Sequence, residues 1–333
     1  MLNNYNYFLV LAEELNISRA AEKLLVSHQC LSKYLKNLED EYGVMLFQRK
    51  PAFALTHAGE TVRDAFRRIE MIDTDLSAQI RDLSGGKTGE VRVGTTQGRM
   101  RILMPELLDR FKKRYPNIEL RIVSSTTGQL LEMLANNKLD VAIFSDLGYP
   151  LPHLRRRVIL QEHLYLVISD NMIREYFPGR YPACLDEFAE GADLREFGNV
   201  PFVRNSAGFS SRIMTDRHLI KIGASLKCVN EATAMDLHHL MTARDYAASF
   251  ALTMYLPSIE QLSRTGVSNS PMYVFPIKGL DETNPVIMVC SDERNFPEYV
   301  NFALKEIAEL CASYAKEDAD ISRLRSSAAE KTH

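Results

Sequence analysis

From Glu60 to Ser84 the chain contains neither glycine nor proline. Across that stretch Val62, Phe66, Ile69, Ile72, Leu76, Ile80 and Leu83 recur at steps of three or four. This spacing predicts one continuous amphipathic helix, which at 1.5 Å per residue extends roughly 37 Å. Thr56 stands where its hydroxyl caps the first turn, and Ser84-Gly85-Gly86-Lys87-Thr88-Gly89 follows as a flexible hinge. An apolar stripe on so long a helix either packs on its own domain or pairs with a second helix. The head before it, residues 1–57, is small for a helix of this length, which favours pairing.

The head reads as short helices and a hairpin. Phe8, Leu11, Ala12 and Leu15 follow i, i+3, i+4, i+7 spacing and mark the buried stripe of a first helix. Ser18 is the expected N-cap of a second helix that carries the small pair Ala20 and Ala21, and Ser27 of a third that runs from His28 to about Tyr42. On the third helix Leu31, Leu35, Leu38 and Tyr42 form the inward stripe. Its other face carries Gln29, Ser32, Lys33 and Lys36. Amide, hydroxyl and cation on one exposed face suit base edges and phosphates. Gly43 can end the helix with positive φ. LFQRK and FALT then form a tight hairpin around Pro51-Ala52, a wing that carries Arg49 and Lys50.

Residues 90–312 alternate strand and helix. Val91–Gly94, Met100–Tyr115, Ile118–Val123, Gln129–Asn136 and Val141–Phe144 read as βαβαβ, with Pro105 inside the first helix. That order predicts a parallel sheet with ligands at the carboxyl ends of its strands. A second set of strands, Tyr165–Ile168, Pro201–Val203, Lys227–Val229 and Ala248–Leu252, implies a second lobe. Val274–Ile277, Val286–Cys290 and a helix over Tyr299–Tyr314 follow. Lobe 1 is expected at about 90–160 and 268–312, lobe 2 at about 161–267, and 313–333 as a polar tail without order.

At this point the residues resemble a family. The AA-x-x-L, S-x-x-x-x-S, LE, G-x-x-LF-x-R and LT-x-AGE elements between residues 8 and 60 fall at the spacing of LysR-type transcriptional regulators. RILMPELLDRFKKRYPNIEL and LLEMLANNKLDVAIF are similar to that family's effector domain. The resemblance covers about residues 3–312. It implies an α/β protein with an N-terminal all-α winged helix-turn-helix (1–57), a long linker and dimerisation helix with hinge (58–89), and a two-lobed effector domain of the type 2 periplasmic binding protein fold. It also implies the partners: double-stranded operator DNA, further copies of the chain as dimer and tetramer, a small-molecule effector between the lobes, and RNA polymerase. Two departures stand out. His28 occupies a position where the family usually has Gln, and Ala243-Arg244-Asp245-Tyr246 replaces a glycine-rich turn.

By position, His28, Gln29, Cys30 and Lys33 reach base edges, and Ser18, Ser27, Ser32, Lys36, Arg49 and Lys50 reach phosphates. A solvated helix face is the plain alternative. For His28, protonation would change its hydrogen-bonding role between about pH 6 and 8, whereas a His touching only water or phosphate would not. The effector candidates are Thr95, Thr96, Gln97 and Arg99 after the first strand, Ser125 and Thr126 after the second, and Ser145 after the third. Asn205, Phe209 and Ser210 lie across the cleft. Hydroxyls and free N–H groups at helix starts suit an anionic group, and Arg99 adds a bidentate partner. Ordinary helix capping explains the same serines and threonines.

No H-E-x-x-H, G-x-S-x-G or Walker A run occurs, so an enzyme is not expected, nor a cofactor beyond the effector. Five scattered cysteines without a C-x-x-C pair speak against a disulfide framework or a zinc site and fit a reducing cytosol. Cys30 could serve as a redox switch, though an inert thiol is the commoner case. The N-terminus lacks the basic start of a signal peptide, and no apolar run is long enough for a membrane span. A cytoplasmic protein is expected. A small-molecule binding protein of the same two-lobed fold, or an effector-independent DNA binder, is the alternative function. The formal charge of −3 weighs against nucleic acid. Within residues 1–58, however, six cations balance six acids, and Lys33, Lys36, Arg49 and Lys50 fall on the reading helix and wing. Such a neutral head implies modest non-specific affinity, with tight binding from several heads together.

Overall fold

The computed structural model describes residues 5–50, 52–83, 89–151, 153–292 and 294–329. They form two compact units: residues up to 89 with 135–138 and 293–298, and the remainder.

In the first unit, α1 (Tyr5–Glu14), α2 (Ile17–Lys23) and α3 (His28–Tyr42) precede a two-stranded hairpin, β1 (Phe47–Gln48) and β2 (Ala54–Leu55), and the long α4 (His57–Leu83). Phe8, Leu11, Ala20, Ala21, Leu31 and Leu35 are buried together with Leu46 and Phe47. The Phe8 ring meets those of Phe47 and Phe66, each at 5.4 Å. Local signals start and stop these elements. Ser27 accepts the Cys30 N–H at 3.1 Å, Gly43 ends α3 at φ +69°, and Thr56 Oγ1 accepts the Gly59 N–H at 3.0 Å while donating to the Met45 carbonyl at 2.7 Å. Gly59 is required here, because a Cβ would sit 2.0 Å from the Leu46 carbonyl oxygen.

Three expectations change. Leu15, expected in the buried stripe of α1, is 43% exposed, because it lies past the helix end at φ +44°. The cap of α2 is Asn16, which accepts the Arg19 N–H at 3.1 Å; Ser18 lies inside the helix, exposed. Tyr42 does not complete the inward stripe of α3. It is 49% exposed, because the helix has by then turned past the core. Pro51 and hinge residues 84–88 lie outside the described residues.

In the second unit the first lobe contains β3 (Gly89–Thr95), α5 (Gln97–Arg114), β4 (Ile118–Ser124), α6 (Thr127–Ala135), β5 (Val141–Ser145) and β6 (Leu154–Glu162). The second lobe contains β7 (Leu164–Ser169), α7 (Asp170–Tyr176), α8 (Cys184–Gly191), β8 (Pro201–Arg204), α9 (Ser210–Ile222), β9 (Lys227–Glu231), α10 (Met235–Ala243), β10 (Ser249–Leu252), α11 (Leu256–Arg264) and β11 (Met272–Pro276). β12 (Asn284–Ser291) returns to the first lobe, and α12 (Glu298–Ala329) closes the chain. The first sheet has the order β4-β3-β5-β12-β6; the second lobe has β10-β7-β11 and β8-β9.

The first sheet is mixed rather than parallel. β3 and β5 pair parallel, but β12 runs antiparallel to both β5 and β6, since it re-enters from the other lobe. β6 went unread in the sequence because Arg155, Arg156 and Arg157 make it look like a charged loop. The second crossing lies at 277–283 rather than near 268. Met272–Pro276 pairs antiparallel with β7, from Met272 opposite Ser169 to Pro276 opposite Tyr165. The final helix, expected to end near Tyr314, continues to Ala329. Residues 315–329 contain neither Gly nor Pro, and more than half of them are Ala, Arg, Leu, Lys or Glu, good helix formers. The expected end of the tail, residues 330–333, lies outside the described residues.

Candidate nucleic-acid interface and ligand crevice

On α3, His28, Gln29, Cys30, Lys33 and Lys36 are all exposed, and Ser32 is half-buried, its Oγ 3.4 Å from His28 Nδ1. Ser27 at the cap and Arg49 and Lys50 beyond β1 are exposed as well. What distinguishes this face is how the head's charges are paired. Lys23 Nζ lies 3.3 Å from Glu13 and 3.0 Å from Glu14, and Arg19 Nε lies 3.6 Å from Glu14. The two cations of α2 are thus answered by acids of α1. Among the described residues no acid lies within ion-pair distance of Lys33, Lys36, Arg49 or Lys50. An unpaired cation is free to displace counterions from phosphate.

Glu39, near the end of α3, is buried, and its Oε1 accepts the Leu46 and Phe47 N–H groups at 2.8 and 3.1 Å. It joins the reading helix to the start of the wing. The LE pair of the motif was the available signal. Beyond the head core, Ile72, Leu76 and Ile80 of α4 are 63%, 53% and 56% exposed. Val62 and Phe66, nearer its start, pack against the head core.

In the second unit the candidate effector residues separate into distinct environments. Thr95 is fully buried and donates to the Ile143 carbonyl at 3.0 Å. Thr96 caps the start of α5 with no side-chain hydrogen bond, and Gln97 is exposed. Ser125 and Thr126 turn their hydroxyls to Gln129 Oε1, and Thr126 Oγ1 accepts the Gln129 N–H at 3.4 Å, so Thr126 caps α6 and Ser125 only touches its first-turn side chain. Asn205 is buried. Its Nδ2 contacts Ser211 Oγ at 2.7 Å, and its Oδ1 has no partner. Phe209 is 41% exposed. Ser145, at the end of β5, meets Ser210, at the start of α9, with their hydroxyl oxygens 3.3 Å apart. That contact joins the two lobes.

Arg99 departs from its expected role. It is buried, and its Nη2 lies 2.8 Å from Glu162 Oε2 and 2.8 Å from Ser145 Oγ. Burial disfavours its cation, yet the Glu162 carboxylate outweighs this and holds its pKa above the ordinary value. Asn284 Nδ2 reaches Glu162 Oε2 at 2.7 Å and Ser145 Oγ at 3.0 Å. The anion partner foreseen for Arg99 is supplied by the chain itself. Neither Glu162 nor Asn284 carried a motif that would have announced it. Each ends or begins a strand at one of the two lobe crossings.

The model described as "Bacterial regulatory helix-turn-helix protein, lysR family" matches residues 2–60, and that described as "LysR substrate binding domain" matches residues 84–294. The chain belongs to the LysR family. It is a LysR-type, DNA-binding transcriptional regulator with a substrate-binding domain, from a family of regulators rather than enzymes. This regulator is 26% identical over 247 residues to the HTH-type transcriptional regulator CysB of Haemophilus influenzae, which covers 68% of this chain and 75% of that protein. It is 26% identical over 282 residues to the HTH-type transcriptional activator CmpR of Synechocystis, covering 84% and 85%. Its fold is similar to full-length OxyR from Pseudomonas aeruginosa, with TM-score 0.62 and 21% identity over 93% and 94% of the two chains. It is also similar to full-length CbnR complexed with its target DNA, with TM-score 0.52 and 19% identity over 93% and 99%. No helix among the described residues is long and apolar enough to cross a membrane.

Proposed function

We propose that this LysR-type regulator reads a two-fold symmetric operator through α3, with His28, Gln29, Cys30 and Lys33 at base edges. Ser18, Ser27, Ser32, Lys36, Arg49 and Lys50 hold phosphates. The observation that carries this reading is the set of four unpaired cations on one helix and its wing, in a head whose other two cations are neutralised. Two heads act together through α4, whose apolar face at Ile72, Leu76 and Ile80 is exposed in the single chain. Effector domains pair as well, to give a tetramer that contacts RNA polymerase in the cytoplasm. Selection from a random duplex library with the full chain tests the DNA reading. Enrichment of an inverted repeat, lost when Lys33 and Arg49 are both changed to Ala, is expected. Unchanged enrichment by that variant contradicts it.

A small polar effector is proposed to enter between the lobes, beside the Ser145–Ser210 contact and the Thr96 start of α5, with no further cofactor. Any anionic character it has would be met by the N–H groups that open α5 and α9 rather than by Arg99. One observation favours effector-independent binding instead: the Ser145–Ser210 contact already closes the crevice at that point. A thermal-shift screen of small carboxylates and sulfate, repeated with Thr96→Val and Ser210→Ala, separates the two. A hit lost in both variants supports the effector site. A hit indifferent to both removes this crevice, and no hit supports the effector-independent reading.

A further inference from the structure

A cavity of about 300 Å³ lies between α5 of the first lobe and α10 and α11 of the second. None of the residues lining it belongs to the crevice described above. Gly98 and Ile102 form one wall, and His239, Leu240, Tyr255 and Leu262 form the other. Gly98 is what allows the two walls to approach: a Cβ there would lie 1.9 Å from the Tyr255 hydroxyl. Ile102 packs against the core of the second lobe. A cavity of about 150 Å³ accepts a single benzene ring, so the volume here accommodates two fused rings.

The charges around the cavity define what it can hold. Arg101 at its edge is ion-paired with Asp236 on the facing helix. His239 is 1% exposed, with its Nε2 3.4 Å from the Phe250 carbonyl oxygen and its ring 5.6 Å from that of Tyr255. Burial pushes the His239 pKa down to about 4 and that of Tyr255 up to about 12, so both are neutral at ordinary pH. A charged group entering here would meet neutral rings on the inner wall, and the cation at the edge is already paired with Asp236, so it gains no partner. Ser258, Gln261 and Thr265 of α11 offer uncharged hydrogen-bonding groups. Apolar walls with a few neutral polar groups are the ordinary make-up of a small-molecule pocket.

We propose that the α5–α10–α11 cavity is a second ligand site, selective for an uncharged aromatic molecule of one or two rings. Because its walls come from both lobes, occupancy favours whichever lobe arrangement keeps them apart at this spacing. The site is thereby a route by which a neutral compound adjusts the regulator independently of the crevice.

Indole serves as the probe. The chain contains no tryptophan, so indole emission excited beyond the tyrosine band reads binding to the full-length protein without background. A saturable shift with one site per chain is expected, with indole-3-carboxylate roughly tenfold weaker or worse. Leu240→Arg, which sets a charge in the wall, and Thr265→Phe, which fills it, should each weaken indole roughly tenfold or more. Both positions are exposed and tolerate change, and unfolding curves check each variant. Absence of saturable binding overturns the proposal. So does equal affinity for the carboxylate, or indifference to both variants. Loss of indole binding in Ser210→Ala would put the ligand in the crevice instead.

Discussion

Glu39 accepts the main-chain N–H of Leu46 at 2.8 Å, and the same carboxylate oxygen accepts the Phe47 N–H at 3.1 Å. The reading helix and the first residues of the wing are therefore held by one side chain buried to 7% exposure. A buried amide without a partner costs about 1–3 kcal/mol. Glu39→Ala should accordingly speed hydrogen exchange at both amides by roughly tenfold or more. Glu39→Gln, which keeps an acceptor, should do so by less. Unchanged protection of Leu46 and Phe47 in the alanine variant would show that the carboxylate is not what orders them.

The buried Arg99–Glu162 pair gives a second test. Removing one member leaves an uncompensated charge, at a cost of about 3–5 kcal/mol, whereas replacing both with apolar side chains of similar volume often costs little. Glu162→Leu and Arg99→Met should each lower the thermal midpoint of the effector domain. The Arg99→Met, Glu162→Leu double variant should recover part of that loss. A double variant whose loss equals the sum of the singles would mean that the two residues act independently.

Ile72 and Leu76 of α4 are exposed, and their proposed role in the subunit contact can be tested. Burying an aliphatic side chain of this size is worth about 1.5–3 kcal/mol. Ile72→Glu with Leu76→Glu should shift the sedimentation profile towards the single chain while leaving helix content by circular dichroism intact. A sedimentation profile identical to the parent's would assign assembly to another surface.

His239 makes stability depend on pH. Its pKa is about 4 in the folded chain against about 6.5 in an unfolded one. Between these values the unfolded state binds the proton and the folded state does not, so stability falls as pH drops from about 6.5 to 4, by about 3 kcal/mol in all, and levels off below. His238 and His218 shift in the same direction. His239→Gln should therefore flatten the denaturation midpoint against pH in this window without removing the slope. An identical slope would count against the buried, neutral imidazole.

Much of the head was legible because its signals act over a few residues. Ser27 caps three residues on, Gly43 supplies a positive φ, and Thr56 opens α4. What escaped depends on residues far apart in the chain. Arg99 and Glu162 are 63 residues apart, and Asn284 lies a further 122 from Glu162. Nothing near Arg99 reveals that its charge is already met. β6 hid behind its three arginines, since an edge strand can carry solvated side chains that read as a loop. The crevice hydroxyls were legible as a group, but their division into cap, as at Thr126, and lobe contact, as at Ser145 and Ser210, depends on packing.

The central claim is that the unpaired cations of α3 and the wing contact operator phosphate and bases. Its most direct test is the salt dependence of binding to the selected duplex, measured for the parent chain and for Lys33→Ala, Lys36→Ala and Arg49→Ala. Each phosphate contact contributes about 0.9 to the slope of log affinity against log salt for every head engaged. Each substitution should then lower both the affinity and the slope, with Lys33→Ala also relaxing base preference. Slopes and affinities that match the parent's in all three variants would contradict the account.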